Sequence, residues 1–512
     1  MPSRAGPTNL ASNRKYGCRT PSKREQFLRR RVVGPVEMPH KPWRQLAFVL
    51  GEAALTVVSS GVLFIIISQV SGPELLGTYA LAVAWLALVQ GVSSFGIPEF
   101  LMREVGAYGR DAAGHLMHAM LLGLGSGFVA LCLMLAGPRL LGYPTYLVQV
   151  ITIASLALIP AFLNTACRSV FLALREMQLA FLAVLVEVTI VMSASLYLLL
   201  SGHGAIALMI ALVVAKVASA SIALTLLHCR VLPVRLLFDL GFLMRTGRTV
   251  FTFGIGNMLG MLSMRINVIM ASLWVDIATV GQFAAATKIM EIGLIIPSLL
   301  GQLLMTRIAR SFNTPANRDP NHFGASYQVL FALVVPSCVG VWVFAGPILR
   351  TLFGTGFGEA AWVLRILMIY LLIESVDGVM SGILKAAHRQ GQDVSCLAFN
   401  PLINIMLNVV LLPTLGTIGA AIGRVGGVGV SATLRYRLIV RELTEVNWFR
   451  FALKPGLISI GVGSICFSLI EMDRLVWLAF FYVAATTVLL RISSGFSLSA
   501  IKDMMSFPSS RD

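Results

Sequence analysis

The stretch that decides the fold occurs twice: residues 70–87 read VSGPELLGTYALAVAWLA, and residues 274–291 read WVDIATVGQFAAATKIME. Both belong to a longer pair, 41–107 and 245–311, that runs in parallel at a constant offset of 204 residues without a gap. Each copy has a basic anchor, an apolar run, a short turn that ends in glycine, a second apolar run and another basic anchor. Repetition on this scale indicates a membrane protein built from two copies of one bundle.

The composition is that of an integral membrane protein. Of the 512 residues, 57% are hydrophobic and 12% charged, and apolar runs of about 20 residues, long enough to cross the hydrocarbon core, recur throughout the chain. The net charge is +17, but lysines and arginines cluster between the apolar runs, which indicates membrane topology rather than nucleic-acid binding. The seven cysteines form no CxxC pair, so no disulfide framework, metal site or cofactor is expected.

The apolar runs predict fourteen spanning helices in an all-α integral membrane fold. Their expected bounds are 46–70, 78–102, 115–137, 147–172, 179–200, 204–228, 250–274, 282–305, 325–349, 361–385, 394–413, 416–440, 453–471 and 474–497. Basic residues fall in the even-numbered gaps rather than the odd-numbered ones by eighteen to three. The even gaps and both termini are therefore expected on the cytoplasmic side.

The repeat also predicts the domain organisation. We expect an N-lobe of six helices at 46–228, a C-lobe of six helices at 250–440, and an interfacial linker helix at 229–249. Residues 1–45 are predicted to be a disordered basic N-terminus, and residues 441–512 to add two extra C-terminal helices and a cytoplasmic tail. Because an even number of helices separates the copies, the lobes are related by a pseudo-two-fold axis along the membrane normal.

Charged residues inside the apolar runs mark the candidate site, because a charge at bilayer depth costs about 2.5–3.5 kcal/mol on insertion scales. Four cations suit a ligand with concentrated negative charge, such as a pyrophosphate, and are predicted to bind substrate: Lys216, Arg265, Lys288 and Arg424. Five carboxylates are assigned to ion coupling or gating: Glu52, Glu187, Glu291, Glu374 and Asp377. Glu374 and Asp377 either pair with Arg365 or take up protons or Na⁺ during transport.

A comparison of the two copies shows that three of these charged residues occur only in the second copy. Arg265, Lys288 and Glu291 stand where the first copy has glycine, alanine and alanine. The fold therefore does not need charge at these positions. Two interpretations stay open: Lys288 and Glu291 form a structural ion pair on one helix face, or the charges line a water-filled cavity between the lobes.

Catalytic motifs do not accompany these charges. The sequence has no Walker loop, GxSxG, HExxH or DxD in a soluble domain, and the longest gaps between the predicted helices have about 20 residues. The protein is therefore not expected to be an enzyme. Energy for transport must come from an ion gradient, the membrane potential or the gradient of the substrate.

Several short motifs lie in a fixed order between residues 45 and 440: Gly72–Tyr79, Phe95-Gly96-Ile97, Arg103-Glu104, Val280–Lys288, Leu384–Arg389, Asn404, Asn408, Pro413 and Gly416–Ile422. Together they resemble the multidrug/oligosaccharidyl-lipid/polysaccharide (MOP) exporter superfamily, in its polysaccharide, O-antigen-type flippase branch. The resemblance implies two six-helix lobes around a central cavity that opens to alternate sides, with Lys288 at a recurrent basic position. The two extra helices depart from the twelve-helix pattern and occur in lipid-II-type relatives.

The resemblance implies a flippase that moves undecaprenyl-pyrophosphate-linked oligosaccharide units across the cell inner membrane by alternating access, for export of exopolysaccharide, capsule or O-antigen. The implied partners are the lipid-linked oligosaccharide, the membrane, and polysaccharide polymerase with chain-length and export proteins, but not nucleic acid. The alternative is a cation-coupled multidrug exporter of the same fold, whose cavity would be acidic. A membrane enzyme such as a glycan polymerase or ligase is disfavoured, because the outward gaps have only a few residues.

Overall fold

The computed structural model describes residues 42–109, 113–231, 240–301, 320–442, 449–468 and 475–494, and within these ranges it contains helices and turns but no strand. The α-helices are α1 (Pro42–Ser94), α2 (Ile97–Tyr108), α3 (Ala113–Leu140), α4 (Thr145–Ser155), α5 (Leu158–Ala173), α6 (Met177–Leu200), α7 (Ala205–Leu226), α8 (Leu240–Trp274), α9 (Ile277–Gly293), α10 (Pro320–Val343), α11 (Ala345–Phe353), α12 (Ala361–Ala386), α13 (Gln390–Leu415), α14 (Thr417–Glu442), α15 (Phe449–Ser468) and α16 (Leu475–Ser494).

Helix α1 is a hairpin of two antiparallel arms, residues 42–71 and 73–94. Gly72 between them has φ 78° and ψ −172°, a conformation that glycine adopts without steric cost. The rings of Phe64 and Tyr79 lie 5.9 Å apart, whereas a straight helix would separate residues 15 positions apart by roughly 22 Å. The two arms correspond to the first two predicted spanning helices, but the turn lies at Gly72 rather than ending at Gly77.

Several predicted spans are interrupted by glycine or proline. The helix predicted at 78–102 breaks at Gly96, which has φ 70°. The helix predicted at 147–172 divides into α4 and α5 just before Pro160, whose nitrogen has no hydrogen to donate. The ninth predicted helix bends by 74° between α10 and α11. These breaks correct the sequence-based bounds, because hydropathy registers an apolar run but not a change of direction within it.

By length and composition, eight of the described helices can cross a bilayer, or nine if α10 and α11 count as one bent span. One of these eight covers both arms of α1, and α15 and α16 contain the shorter apolar segments Ala452–Ser468 and Trp477–Leu490. The protein is therefore an all-α, multi-pass membrane protein. The number of fourteen spanning helices stays a prediction.

Parts of the predicted domain plan lie outside the described residues. These parts are residues 1–41 of the N-terminus, the centre of the linker at 232–239, and the tail after residue 494. Residues 240–249, which we assigned to an interfacial helix, instead form the first turns of α8. The lobe bounds of 46–228 and 250–440 stay a proposal.

The two copies of the repeat touch through matching residues. A Cβ on Gly77 would lie 1.9 Å from the carbonyl oxygen of Ile277, and a Cβ on Gly281 would lie 2.0 Å from that of Pro73. Pro73 and Ile277 are also 204 residues apart, so the contact is reciprocal, as it is across a two-fold axis. We call this crossing of the second arm of α1 with α9 the glycine contact. Both glycines lie one turn inside their helices, where they permit close approach instead of ending a turn.

The second half of the bundle has its own close packing between α13 and α14. Gly419, Gly423 and Gly427 recur every four residues on α14, and a Cβ on Gly423 would lie 2.3 Å from Oδ1 of Asn408. Small residues at this spacing let membrane helices approach closely. Helices α15 and α16 pack on α10, where the hydroxyl of Tyr482 donates to the carbonyl of Pro336 at 2.9 Å.

Candidate functional site

A cavity of about 470 Å³ lies between the two copies of the repeat. Its walls include both arms of α1 and parts of α5, α6, α7, α8 and α9. The lining reaches Tyr79 on the second arm of α1 and Ala284 on α9, and each of these residues is within one turn of the glycine contact. The glycine contact therefore closes one end of the cavity.

Helices α8 and α9 contribute three charged side chains to one wall, which we call the α8–α9 cluster: Arg265, Lys288 and Glu291. Glu291 Oε1 accepts a hydrogen bond from Nη1 of Arg265 at 2.7 Å, and its Oε2 accepts one from Nζ of Lys288 at 2.7 Å. One carboxylate thus neutralises one of two cations, and a net positive charge remains. Nζ of Lys288 also lies 4.6 Å from the ring centre of Phe64 on the first arm of α1, a cation–π contact.

Helices α6 and α7 contribute a second charged pair on the opposite wall. Oε1 of Glu187 lies 2.6 Å from Nζ of Lys216. Nδ2 of Asn164 donates to Oε2 of Glu187 at 3.3 Å and to Oγ of Ser219 at 2.8 Å. The charges of this pair cancel. Among the described residues that line the cavity, three cations face two carboxylates, so its net positive charge comes from the α8–α9 cluster.

Arg424 and Glu52, which we predicted as site residues, do not line this cavity. Arg424 is only 1% exposed; its guanidinium lies 4.6 Å from the ring centre of Tyr370, and its Nη2 lies 3.2 Å from Sδ of Met264. It therefore sits inside the second half of the bundle, behind the cavity wall. The buried Glu52 forms an ion pair with Arg168, which joins the first arm of α1 to α5.

Asp377 also lies outside the cavity, in a buried ionic network that our sequence analysis missed. Nη1 of Arg435 donates to Oδ2 of Asp377, and its Nε donates to Oδ1 of Asp393 at 2.8 Å. Nζ of Lys385 lies 3.7 Å from Oδ2 of Asp393 at the edge of the network. Asp377, Asp393 and Arg435 are all buried. The network ties α12, α13 and α14 together.

Of the two alternatives that the sequence left open for Asp377, a pairing with Arg365 is not what the structure shows, because Asp377 pairs with Arg435. The Arg365 guanidinium lies 4.6 Å from the ring of Trp362 and 5.2 Å from that of Trp342, which is a lipid-facing aromatic environment rather than an acidic one. Glu374 is half-buried on α12 and is absent from the cavity lining. Arg435 is one of the eighteen basic residues counted in the even-numbered gaps, although it also lies within the helix predicted at 416–440; in the structure it is buried on α14. A carboxylate inside an apolar run needs a cation, so a search of the neighbouring helices for a partner of Asp377 could have identified Arg435.

An internally repeated helical bundle around a charged central cavity defines the class of multi-helix membrane transporters. The fold is similar to that of the lipid II flippase MurJ in an inward closed conformation, with a TM-score of 0.74 and 13% identity over 87% of this chain and 98% of that one. It is also similar to an inward-facing multidrug resistance MATE family transporter of the MOP superfamily, with a TM-score of 0.62 and 17% identity over 77% and 97% of the two chains. At these identities the likeness shows the fold alone.

The family described as "Polysaccharide biosynthesis protein" matches residues 49–306, just over half of the sequence, and the chain belongs to that family. A curated relative, the "Probable low-salt glycan biosynthesis flippase Agl15" of Haloferax volcanii, is 22% identical over 191 residues, which is 34% of this chain and 40% of the relative. The match thus spans well under two thirds of the relative's length. The polysaccharide branch that the sequence motifs resemble is thus confirmed at the level of the family, and the fold is similar to that of the MurJ and MATE transporters.

Proposed function

We propose that this protein is a flippase for undecaprenyl-pyrophosphate-linked oligosaccharides and holds the pyrophosphate at the α8–α9 cluster. The observation that carries the proposal is that Arg265 and Lys288 converge inside the central cavity and share one carboxylate. Two convergent cations suit the clustered negative charge of a diphosphate. Family membership supports a role in polysaccharide biosynthesis.

The size of the cavity supports this assignment. Its volume of about 470 Å³ falls within the roughly 300–1,000 Å³ that is typical of ligand pockets. A polar headgroup enters such a cavity while its polyprenyl tail stays among the lipid chains, because burying the tail in water-filled space would be unfavourable. Lys216 on the opposite wall offers a further cation, although Glu187 neutralises it.

The topology that we predict from the basic residues puts the glycine contact at the outer face of the inner membrane and both termini in the cytoplasm. The cavity would then be closed on the outer side and accessible from the cytoplasmic side. Translocation requires the second arm of α1 and α9 to separate at the glycine contact, as alternating access demands. Polysaccharide polymerase and chain-length and export proteins are the partners that such a flippase would serve.

The second candidate is a cation-coupled multidrug exporter, because the fold is also similar to that of MATE transporters. A cationic drug needs carboxylates that are free to bind it. Glu187 and Glu291, which line the cavity, are each ion-paired, and the lining carries a net positive charge. The charge of the cavity therefore favours an anionic substrate.

Charge reversal of the two converging cations tests the proposal. We expect Arg265→Glu and Lys288→Glu each to abolish polysaccharide export from cells that depend on this protein, while both variants still insert into the membrane. Arg365→Glu is the matched control, because Arg365 is a cation on the same bundle but outside the cavity. Normal export by both charge-reversed cavity variants, or equal loss in the control, would contradict the proposal.

A further inference from the structure

Glu291 occupies a place in the cavity where cations from two helices meet. Its Oε1 binds the guanidinium of Arg265 on α8, and its Oε2 binds the ammonium of Lys288 on α9, each at 2.7 Å. Each carboxylate oxygen of Glu291 therefore accepts a hydrogen bond from one cation. Convergence of two cationic donors on one anion is the arrangement by which proteins bind phosphate and carboxylate ligands. Glu291 therefore fills an anion site with a side chain of the protein itself.

Packing of α9 does not require an acid at this position. The first copy of the repeat has Ala87 there, and Ala87 lines the same cavity. Lys288 has a second contact, the ring of Phe64, which holds its ammonium in place independently of Glu291. Glu291 therefore changes the charge of the site rather than the shape of the helix.

We propose that Glu291 is a built-in counter-anion that the substrate displaces, and that it makes the site selective for anions with more than one charge. This role rests on the proposed function. A singly charged anion that replaces Glu291 exchanges one charge for another and gains little. A diphosphate brings enough charge and enough oxygen atoms to bind Arg265 and Lys288 together, so it alone outcompetes the carboxylate.

The displaced carboxylate has a second cation available behind the cavity wall. Nη2 of Arg424 lies 3.2 Å from Sδ of Met264, the residue before Arg265 on α8, and Nε of Arg424 is buried without a hydrogen-bond partner among the described residues. A Glu291 side chain that turns from the cavity towards Arg424 stays neutralised, which avoids the cost of an unpaired charge inside the membrane. Arg424 thereby acquires a role as the second partner of Glu291, in place of the substrate contact that we predicted from the sequence.

Anion binding to the purified full-length protein in nanodiscs tests this role. The probes are inorganic pyrophosphate and methanesulfonate, which carries a single charge, and the proteins are wild type, Glu291→Ala and Glu359→Gln. Wild type is expected to prefer pyrophosphate. Glu291→Ala, which restores the residue of the first copy, should bind methanesulfonate about tenfold more tightly or better, so that the preference shrinks. Glu359→Gln removes the same charge at an exposed position outside the cavity and should alter the preference by less than about twofold.

The outcomes separate this role from the proposed function. An unchanged preference in Glu291→Ala, or an equal change in Glu359→Gln, overturns the counter-anion role even when Arg265→Gln and Lys288→Gln lose pyrophosphate binding. Wild-type protein that binds no pyrophosphate, or binds it as well as Arg265→Gln does, contradicts the proposed function instead. Thermal unfolding checks the fold of every variant, and Glu291→Gln, which keeps the side-chain volume, replaces Glu291→Ala if that protein does not fold.

Discussion

The second arm of α1 and helix α9 are two copies of one element with different chemistry. They cross at the glycine contact through matching backbone atoms, and both line the central cavity. Where α9 has Lys288 and Glu291, the second arm of α1 has Ala84 and Ala87. The glycines that the copies share are set by packing, and two of the positions at which the copies differ carry charge on α9 alone. The comparison therefore separates what builds the bundle from what acts on the substrate.

The variant with the largest expected effect disrupts the glycine contact, which both copies share. Gly281→Leu should prevent the second arm of α1 and α9 from packing, because even a Cβ there would lie 2.0 Å from the carbonyl oxygen of Pro73. Overpacking against backbone has no side chain that can move aside. We expect almost no monodisperse protein by size-exclusion chromatography. Gly125→Leu is the matched control, since Gly125 is an exposed helical glycine with open space around it; normal yield from both variants would refute the close contact.

The second effect concerns another difference between the halves. In the first half, the ion pair that joins α6 to α7, Glu187–Lys216, lines the cavity. In the second half, the corresponding helices α12, α13 and α14 meet at the buried Arg435 network, which lies outside the cavity. Arg435→Met leaves two buried carboxylates without their main partner and should lower the free energy of unfolding by about 3–5 kcal/mol. Thermal or denaturant unfolding of the purified protein in detergent measures this loss.

Removal of the carboxylates tests the cause of that loss. The triple variant Arg435→Met, Asp377→Asn, Asp393→Asn should regain much of the stability, because amides tolerate burial without a counter-charge better than carboxylates do. Failure of the triple variant to regain stability would indicate that Arg435 acts by packing its stem rather than by neutralising the two aspartates.

The repeat made much of this organisation predictable. Alignment of the copies identified Arg265, Lys288 and Glu291 as additions to the fold, and all three meet in the cavity. Hydropathy indicates that a residue lies within the membrane, but it does not show on which face of its helix the residue lies. The position of Arg424 behind the cavity wall could therefore not be predicted from the sequence. A basic residue near a helix end resembles a loop anchor, which is why Arg435 was counted with the basic residues that set the topology.

The third prediction concerns a variant in which α9 has the same residues as the second arm of α1 at its two charged positions. Lys288→Ala with Glu291→Ala gives α9 the residues of the second arm of α1 and removes one cation together with the shared carboxylate, and it leaves Arg265, whose side chain is 30% exposed, facing the cavity. We expect unfolding stability to change by less than about 1 kcal/mol, while export falls about tenfold or more because the anion site keeps only Arg265 of its two cations. Polysaccharide export from cells and thermal unfolding in detergent measure the two effects. A large loss of stability would show that the pair is structural.

The smallest expected effect concerns the turns that precede the second arm of α1 and α9. Asp276 stands where the first copy has Gly72: the glycine turns with a positive φ, whereas Asp276 caps α9 by accepting hydrogen bonds from the backbone N–H of Thr279 at 3.0 Å and from its hydroxyl at 2.7 Å. These hydrogen bonds lower the pKa of the Asp276 carboxyl, those from the Thr279 side chain and backbone most strongly. Asp276→Ala should therefore cost about 1 kcal/mol of stability near neutral pH.

The sign of the pH dependence follows from the lowered pKa of Asp276. A carboxyl whose pKa is lower in the folded than in the unfolded state stabilises fully above its unfolded value, and this contribution disappears as the pH falls below about 4 through the folded value. Unfolding of wild type and Asp276→Ala should thus differ at pH 7 and converge in acid. Asp276→Asn retains an acceptor for the Thr279 N–H and carries no charge, so it should keep most of the stability and lose this pH dependence. A difference between wild type and Asp276→Ala that persists unchanged in acid would mean that the side chain stabilises the turn by packing, and the two copies would then differ at this position in shape rather than in charge.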